Sequence, residues 1–241
     1  MTRKLPDSIN PCPITEAIIE IRFETDTPSS VIAGRIYGLL LEFGFETTEV
    51  LPTAYMPEEF RKQIGDFKYL PHQKVFGDGF IYQVGPQMFS FSAVGDYPGW
   101  EIFKLETKKI FDIILFSTNL VQKVTRLAIR YISIFNRDVF PELDVIFNIG
   151  GDDCRKQTTF IRTHIVENSS NVTLTLNNGI VNNQDNSPGM LIDIDIERTT
   201  DLSDFNDNYI AFLDKMHQTE KETFFKLLPD EFVQTLNPKY P

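Results

Sequence analysis

The sequence predicts an α+β fold: a largely antiparallel sheet with long helices packed on one face. Three observations lead there. Stretches of apolar–polar alternation arrive in runs, as in 14–25 (ITEAIIEIRFET) and 126–135 (RLAIRYISIF). Glycine-rich tight turns join several of these runs. Three long stretches of helical periodicity are set between or after them. A doubly wound parallel fold would instead alternate single strands with helices.

In chain order, the first strand sets Ala17, Ile19, Ile21 and Phe23 on one side and Glu16, Glu20, Arg22 and Glu24 on the other. A helix follows over TDTPSSVIAGRIYGLLLEFGF. Asp26 or Thr27 can cap it, Pro28 suits its first turn, and Gly44 follows its last apolar residue. Val31, Ile32, Ile36, Leu39, Leu40 and Phe43 make its buried stripe. A short strand over 46–51 and a helical turn at MPEEFRKQIG come next. QKVFGDGFIYQVGPQMFSFSAV reads as antiparallel strands, with Gly77-Asp78-Gly79 and Gly85-Pro86 supplying the turns. A second long helix starts at Gly99-Trp100 and buries Phe103, Ile110 and Ile114; the strand 126–135 follows it.

From about residue 137 the composition shifts. Asparagine-rich loops separate strands over 158–166, 172–181 and 190–197. A long helix then carries Phe205, Tyr209, Phe212, Leu213, Met216, Phe224 and Leu227 as its stripe, and Leu228-Pro229-Asp230 breaks it before a short last helix, DEFVQTL. The order of elements suggests two loosely similar halves, 1–136 and 137–241, within what can equally be one continuous domain. No sequence repeat accompanies them.

With 241 residues and 21 phenylalanines the chain is long enough to build a dense aromatic core without disulfide or metal staples. Its two cysteines, Cys12 and Cys154, show no zinc spacing. The N-terminus has basic residues but no apolar signal-peptide core, and no apolar run approaches the roughly 18 residues of a membrane span. A soluble, reduced, cytoplasmic protein is expected. The sequons at Asn168 and Asn171 would then be without consequence. A net charge of −11 disfavours general binding to nucleic acid or to anionic membrane. The expected partners are another protein or a small anionic ligand. The sequence sets neither a cofactor nor an oligomeric state.

Three segments together resemble an uncharacterised, sporadically distributed bacterial protein family of about this length. They are Pro13-Ile14-x-Glu16-Ala17-Ile18-x-Glu20-Ile21-Arg22-Phe23; the strand RLAIRYISIF with Arg130 and Tyr131; and MHQTEKETFFKLLPDEF with His217, Phe224 and Phe225. The resemblance implies no activity, cofactor or catalytic residue. Patchy distribution implies a setting among mobile-element or defence genes, and with it a binding or regulatory role.

Two constellations are candidate sites. The charged side of the first strand and the arginines of 126–135 can form cross-strand ion pairs, Glu20 with Arg126 or Arg130, each contributing about 0.2–1 kcal/mol and fixing register. If helices leave that face open, Glu16, Glu20, Arg22 and Arg130 instead line a concave site in which an arginine fork takes a carboxylate or phosphate. In LIDIDIER, Asp193 and Asp195 share a strand face at a spacing that could hold Mg²⁺ for phosphoryl or nucleotidyl transfer. No glycine-serine element for a triphosphate stands at a suitable distance, so a solvated acidic face paired with arginine, such as Arg162, is the competing reading. His72, His164 and His217 show no metal spacing and no nucleophile partner. His217, beside Met216, reads as the edge of an apolar stripe. No catalytic set is complete, which favours a binding or interaction module over the alternative, a Mg²⁺-dependent enzyme.

Overall fold

Alternation in the first strand is realised as burial. Along β1 (Ile14–Glu24), Ala17, Ile19, Ile21 and Phe23 are fully buried, while Glu16, Ile18, Glu20 and Arg22 between them keep partial exposure. The computed structural model describes residues 4–167, 170–181 and 187–241; Asn168 and the whole NNQDN stretch, 182–186, lie outside them.

After β1 come α1 (Ser29–Glu42), β2 (Thr47–Val50), α2 (Glu58–Gln63), β3 (Gln73–Gly77), β4 (Phe80–Val84), β5 (Met88–Val94), α3 (Trp100–Ser117) and β6 (Lys123–Phe135). The second half contains β7 (Asn148–Ile149), β8 (Asp152–Asp153), β9 (Phe160–Glu167), β10 (Ser170–Val181), β11 (Pro188–Arg198), α4 (Phe205–Lys226) and α5 (Asp230–Thr235). Nine strands make one sheet in the order β2-β3-β4-β5-β1-β6-β11-β10-β9, every pair antiparallel. β7 and β8 form a separate small hairpin where the asparagine-rich composition predicts a loop.

The sheet order mirrors about the β1–β6 seam: β1 pairs with β5 and β6 with β11, with β4-β3-β2 stepping outward on one side and β10-β9 on the other, so the mirror line falls before β6 and not at residue 137. At the seam Ile19 faces Ile129, Ile18 faces Arg130 and Glu20 faces Ala128. One core cluster runs through both halves. The face bearing Ile19 and Ile129 also bears Phe89, Phe91 and Tyr131, and these meet helices: Phe91 stacks on Phe103 of α3 at 5.4 Å, Phe89 meets Phe111 at 5.6 Å, and Tyr131 meets His217 of α4 at 5.7 Å.

Helix starts differ in detail from the sequence reading. α1 begins at Ser29 with Pro28 in the N-cap position and no side-chain cap. Asp26 is engaged elsewhere, accepting from Gln122 Nε2 at 2.7 Å. Only Ile32, Ile36 and Leu40 of its stripe are buried; Val31 and Phe43 stay exposed because the helix lies over the narrow β3 end of the sheet. α3 begins after Gly99, whose φ of 90° is a conformation that a side chain would strain. The described segment before β1 is fastened to the far end of the chain. Asp7 N–H donates to Lys239 O at 2.7 Å and Asn10 N–H to Leu236 O at 2.7 Å.

Candidate functional site

The face away from the helices carries the first candidate. Register sets Arg22 beside Arg126 across the β1–β6 seam, and Asp195 beside Arg130 across β6–β11. The charges then sort by reach. Arg126, only 11% exposed, donates Nε–H to Glu197 at 2.6 Å and Nη1–H to Glu20 at 2.5 Å, with Asp195 at 3.6 Å from Nη2. Arg22 donates to the same Glu20 oxygen at 2.8 Å, and its guanidinium lies 4.6 Å from the centre of the Tyr69 ring. Arg130 grips Asp193 through two bonds, 2.8 and 2.7 Å. Glu16, on the same face, adds its negative charge toward Arg130.

The charge balance fits an ion-pair ladder. Burial opposes ionisation of Glu197, but the hydrogen bond and charge of Arg126 bring its carboxyl below the ordinary value. Burial keeps the Asp195 carboxyl above its ordinary value, against the pull of Arg126 and Arg130. Of the residues read as an anion fork, Arg130 already has a carboxylate in its fork and Arg22 lies on Tyr69. Asp195 looks into an arginine-lined hollow that Asp193 does not line, and among the described residues no group of three or more His, Cys, Asp or Glu could hold a metal ion. Arg162 is opposite Thr175 on β10, one strand removed from Asp193.

The second candidate lies on the helix side. Where the N-terminal segment crosses the ends of β1 and β6, a cavity of about 270 Å³ opens between that segment, the 97–100 turn and α4. Ile9, Pro13, Ile14, Phe224 and Phe225 contribute apolar walls. Its polar wall is an ordered chain. The Tyr97 and Tyr131 hydroxyls are 2.9 Å apart, Tyr131 also reaches His217 Nδ1 at 3.2 Å, and the His217 ring stacks on Trp100 at 4.3 Å. Trp100 Nε1–H donates to Asp214 at 2.8 Å, and Lys104 donates to the same oxygen at 2.9 Å. Burial lowers the His217 imidazole to about 4, so it is neutral at pH 7.

Beneath this chain, one turn along α4 from His217, lies Glu220. It is 5% exposed, it lines the cavity, and among the described residues it has no hydrogen-bond or ion-pair partner. Burial raises its carboxyl to about 8, against the pull of the adjacent Lys221, which itself reaches Asp7 at 3.5 Å. Buried carboxyls are normally paired, and one that is unpaired beside a cavity is a functional-site signal. Cys12 also lines the cavity and is otherwise exposed.

Sequence reasoning missed Glu220, Tyr97 and Trp100 as site residues. The signal for Glu220 was present. It falls four residues after Met216 and four before Phe224, on the apolar stripe of α4. A larger hollow of about 690 Å³ opens at the start of α1. Its buried Arg61 is hydrogen-bonded to His72, and an acid, Asp26, shares the wall.

No protein-family model matches the chain, and no curated protein matches it. No helix is long and apolar enough to cross a membrane among the described residues.

Proposed function

We propose that this chain is a binding module whose ligand is a small, mostly apolar molecule held in the cavity between the N-terminal segment and α4. The observation that carries this reading is Glu220, a buried carboxyl on the wall of a mostly apolar cavity with no hydrogen-bond partner among the described residues. A buried polar group without a partner costs about 1–3 kcal/mol, more when charged, and a ligand that supplies the partner recovers it. The cavity approaches the size of small-molecule sites, and its walls mix aromatic and aliphatic surface with a few fixed polar groups, as such sites do. Catalysis is not part of this reading. His217 is neutral and already bonded to Tyr131, and among the described residues no nucleophile is hydrogen-bonded to it.

The Mg²⁺-dependent transferase reading is the weaker one, because a cation at Asp193 would have to displace the bidentate Arg130. The test is native mass spectrometry on gently purified protein, followed by thermal-shift screening of a fragment library. Excess mass above multiples of 27.8 kDa, or fragments that raise Tm in the wild type and not in a cavity-filling Ser133→Leu variant, is the expected outcome. Clean chains and no stabilising fragment would remove the proposal.

A further inference from the structure

The chemistry of the cavity wall can be counted donor by donor, and this count rests on the ligand-binding reading above. The Tyr131 hydroxyl is occupied on both sides, by Tyr97 and by His217. Lys221, the one cationic side chain on the wall among the described residues, faces Asp7. Ser133 and Cys12 are neutral and can serve either way. Glu220 is left over, a group that in its ionised form offers two acceptor oxygens and no donor. An anionic ligand would meet Glu220 and Asp7 with only one engaged lysine to answer them. A ligand with several donors and a positive charge would meet a carboxylate that nothing else satisfies.

We infer that the polar group of the ligand is a protonated amine or amidine seated against Glu220, with its apolar body between the N-terminal segment and Phe224. A charge-assisted hydrogen bond is roughly twice as strong as a neutral one. The chain's net charge of −11 adds a long-range field of the right sign. The groups facing Glu220 are His217 and Lys221 on its own helix, Asp7 and Cys12 from the N-terminal segment, Tyr97 from the turn before α3 and Tyr131 from β6. Burial raises the Glu220 carboxyl to about 8, so its proton must leave for the cation to bind.

Trp100 is the only tryptophan in the sequence and lies in the wall, so its fluorescence reports occupancy directly. The probes are phenyl, naphthyl and cyclohexyl ethyl groups, each carried as the amine, the alcohol and the carboxylate. On the wild-type chain at pH 8 the amine of at least one body should bind about tenfold tighter than its alcohol, a difference of ~1.4 kcal/mol. That advantage should shrink as pH falls below 8, with proton release seen by calorimetry in buffers of different ionisation enthalpy. Glu220→Gln should erase it while leaving alcohol binding in place. The wild-type ranking and the proton release decide the matter even if the variant folds poorly. Alcohols or carboxylates binding as well as amines, or an amine preference surviving in E220Q, would overturn the inference and leave the cavity reading standing. No fluorescence change with any of the nine probes would overturn both.

Discussion

On the two faces of this sheet the acids have opposite fates. On the open face Glu20, Asp193 and Glu197 are each hydrogen-bonded to an arginine. On the covered side Glu220 is as buried as a core leucine and, among the described residues, has no hydrogen-bonded base. A paired carboxylate is explained by its partner and needs no ligand. An unpaired buried one is a standing cost to the fold, and such costs concentrate where something binds. The conspicuous charge pattern in the sequence therefore reads best as architecture, and the inconspicuous residue on a helix stripe reads best as chemistry.

That contrast breaks most sharply at Glu220. Its carboxyl titrates at about 8 when folded against an ordinary 4.5. The native chain therefore holds a proton that the unfolded chain has released between those values. The stability involved is fully present below pH 4.5 and is lost as pH rises through 8, at ~1.4 kcal/mol per unit. In E220Q this slope should vanish, so that the variant gains about 4 kcal/mol on wild type between pH 5 and 8 in urea melts. Parallel curves for the two chains would mean that the carboxyl is not buried alone.

Arg126 tests the opposite face. Replacing it with Met leaves Glu20 and Glu197 facing each other half-buried, and should cost about 3 kcal/mol, the lower end for removing one partner of a buried pair. A loss below about 1 kcal/mol would make the ladder a solvated surface feature.

His217 sharpens the comparison from the acid side. Its depressed imidazole contributes stability that is present above pH 6.5 and lost as pH falls through about 4. His217→Gln should flatten that limb by about 2 kcal/mol between pH 6.5 and 5. His72, lowered to about 4 by burial and by Arg61, keeps its own share of the acid sensitivity in the variant.

The smallest effects belong to Arg130. It is 43% exposed, and Arg130→Met should cost at most about 1 kcal/mol. Millimolar Mg²⁺ should leave the wild-type Tm where it was. A rise abolished by Asp193→Asn would return the metal reading of Asp193 and Asp195 to first place.

Much of the fold was legible because burial writes itself into sequence with a period. Ala17 to Phe23 alternate, and Leu213, Met216 and Phe224 recur on one helical face. The strands of the second half emerged to within a few residues for the same reason. What had no period was not legible. The β7–β8 hairpin is two residues wide on each side, and α1 takes its start from Pro28 instead of a side-chain cap. The partner of Glu20 was narrowed to two arginines by alternation alone, and only the register across the seam brings Arg126 to it. The cavity was out of reach because it joins segments up to about 220 residues apart, from Pro6 to Phe225. Nothing local marks Trp100, Tyr131 and His217 as neighbours.

The position of β1 bears on how the protein is made. It leaves the ribosome before the strands it pairs with, yet it lies at the middle of the sheet, and its neighbours β5 and β6 end at residues 94 and 135. At about 5–20 residues per second, a strand with four consecutive apolar inward positions waits many seconds for its pairing edges. The wait for the cavity is longer still, since its N-terminal wall is tied to residues 236–239. Nascent chains stalled short of those residues should engage holdase chaperones through β1 and give no Trp100 response to ligand. The module would gain its binding capacity only once residues 236–239 have emerged to hold that wall in place.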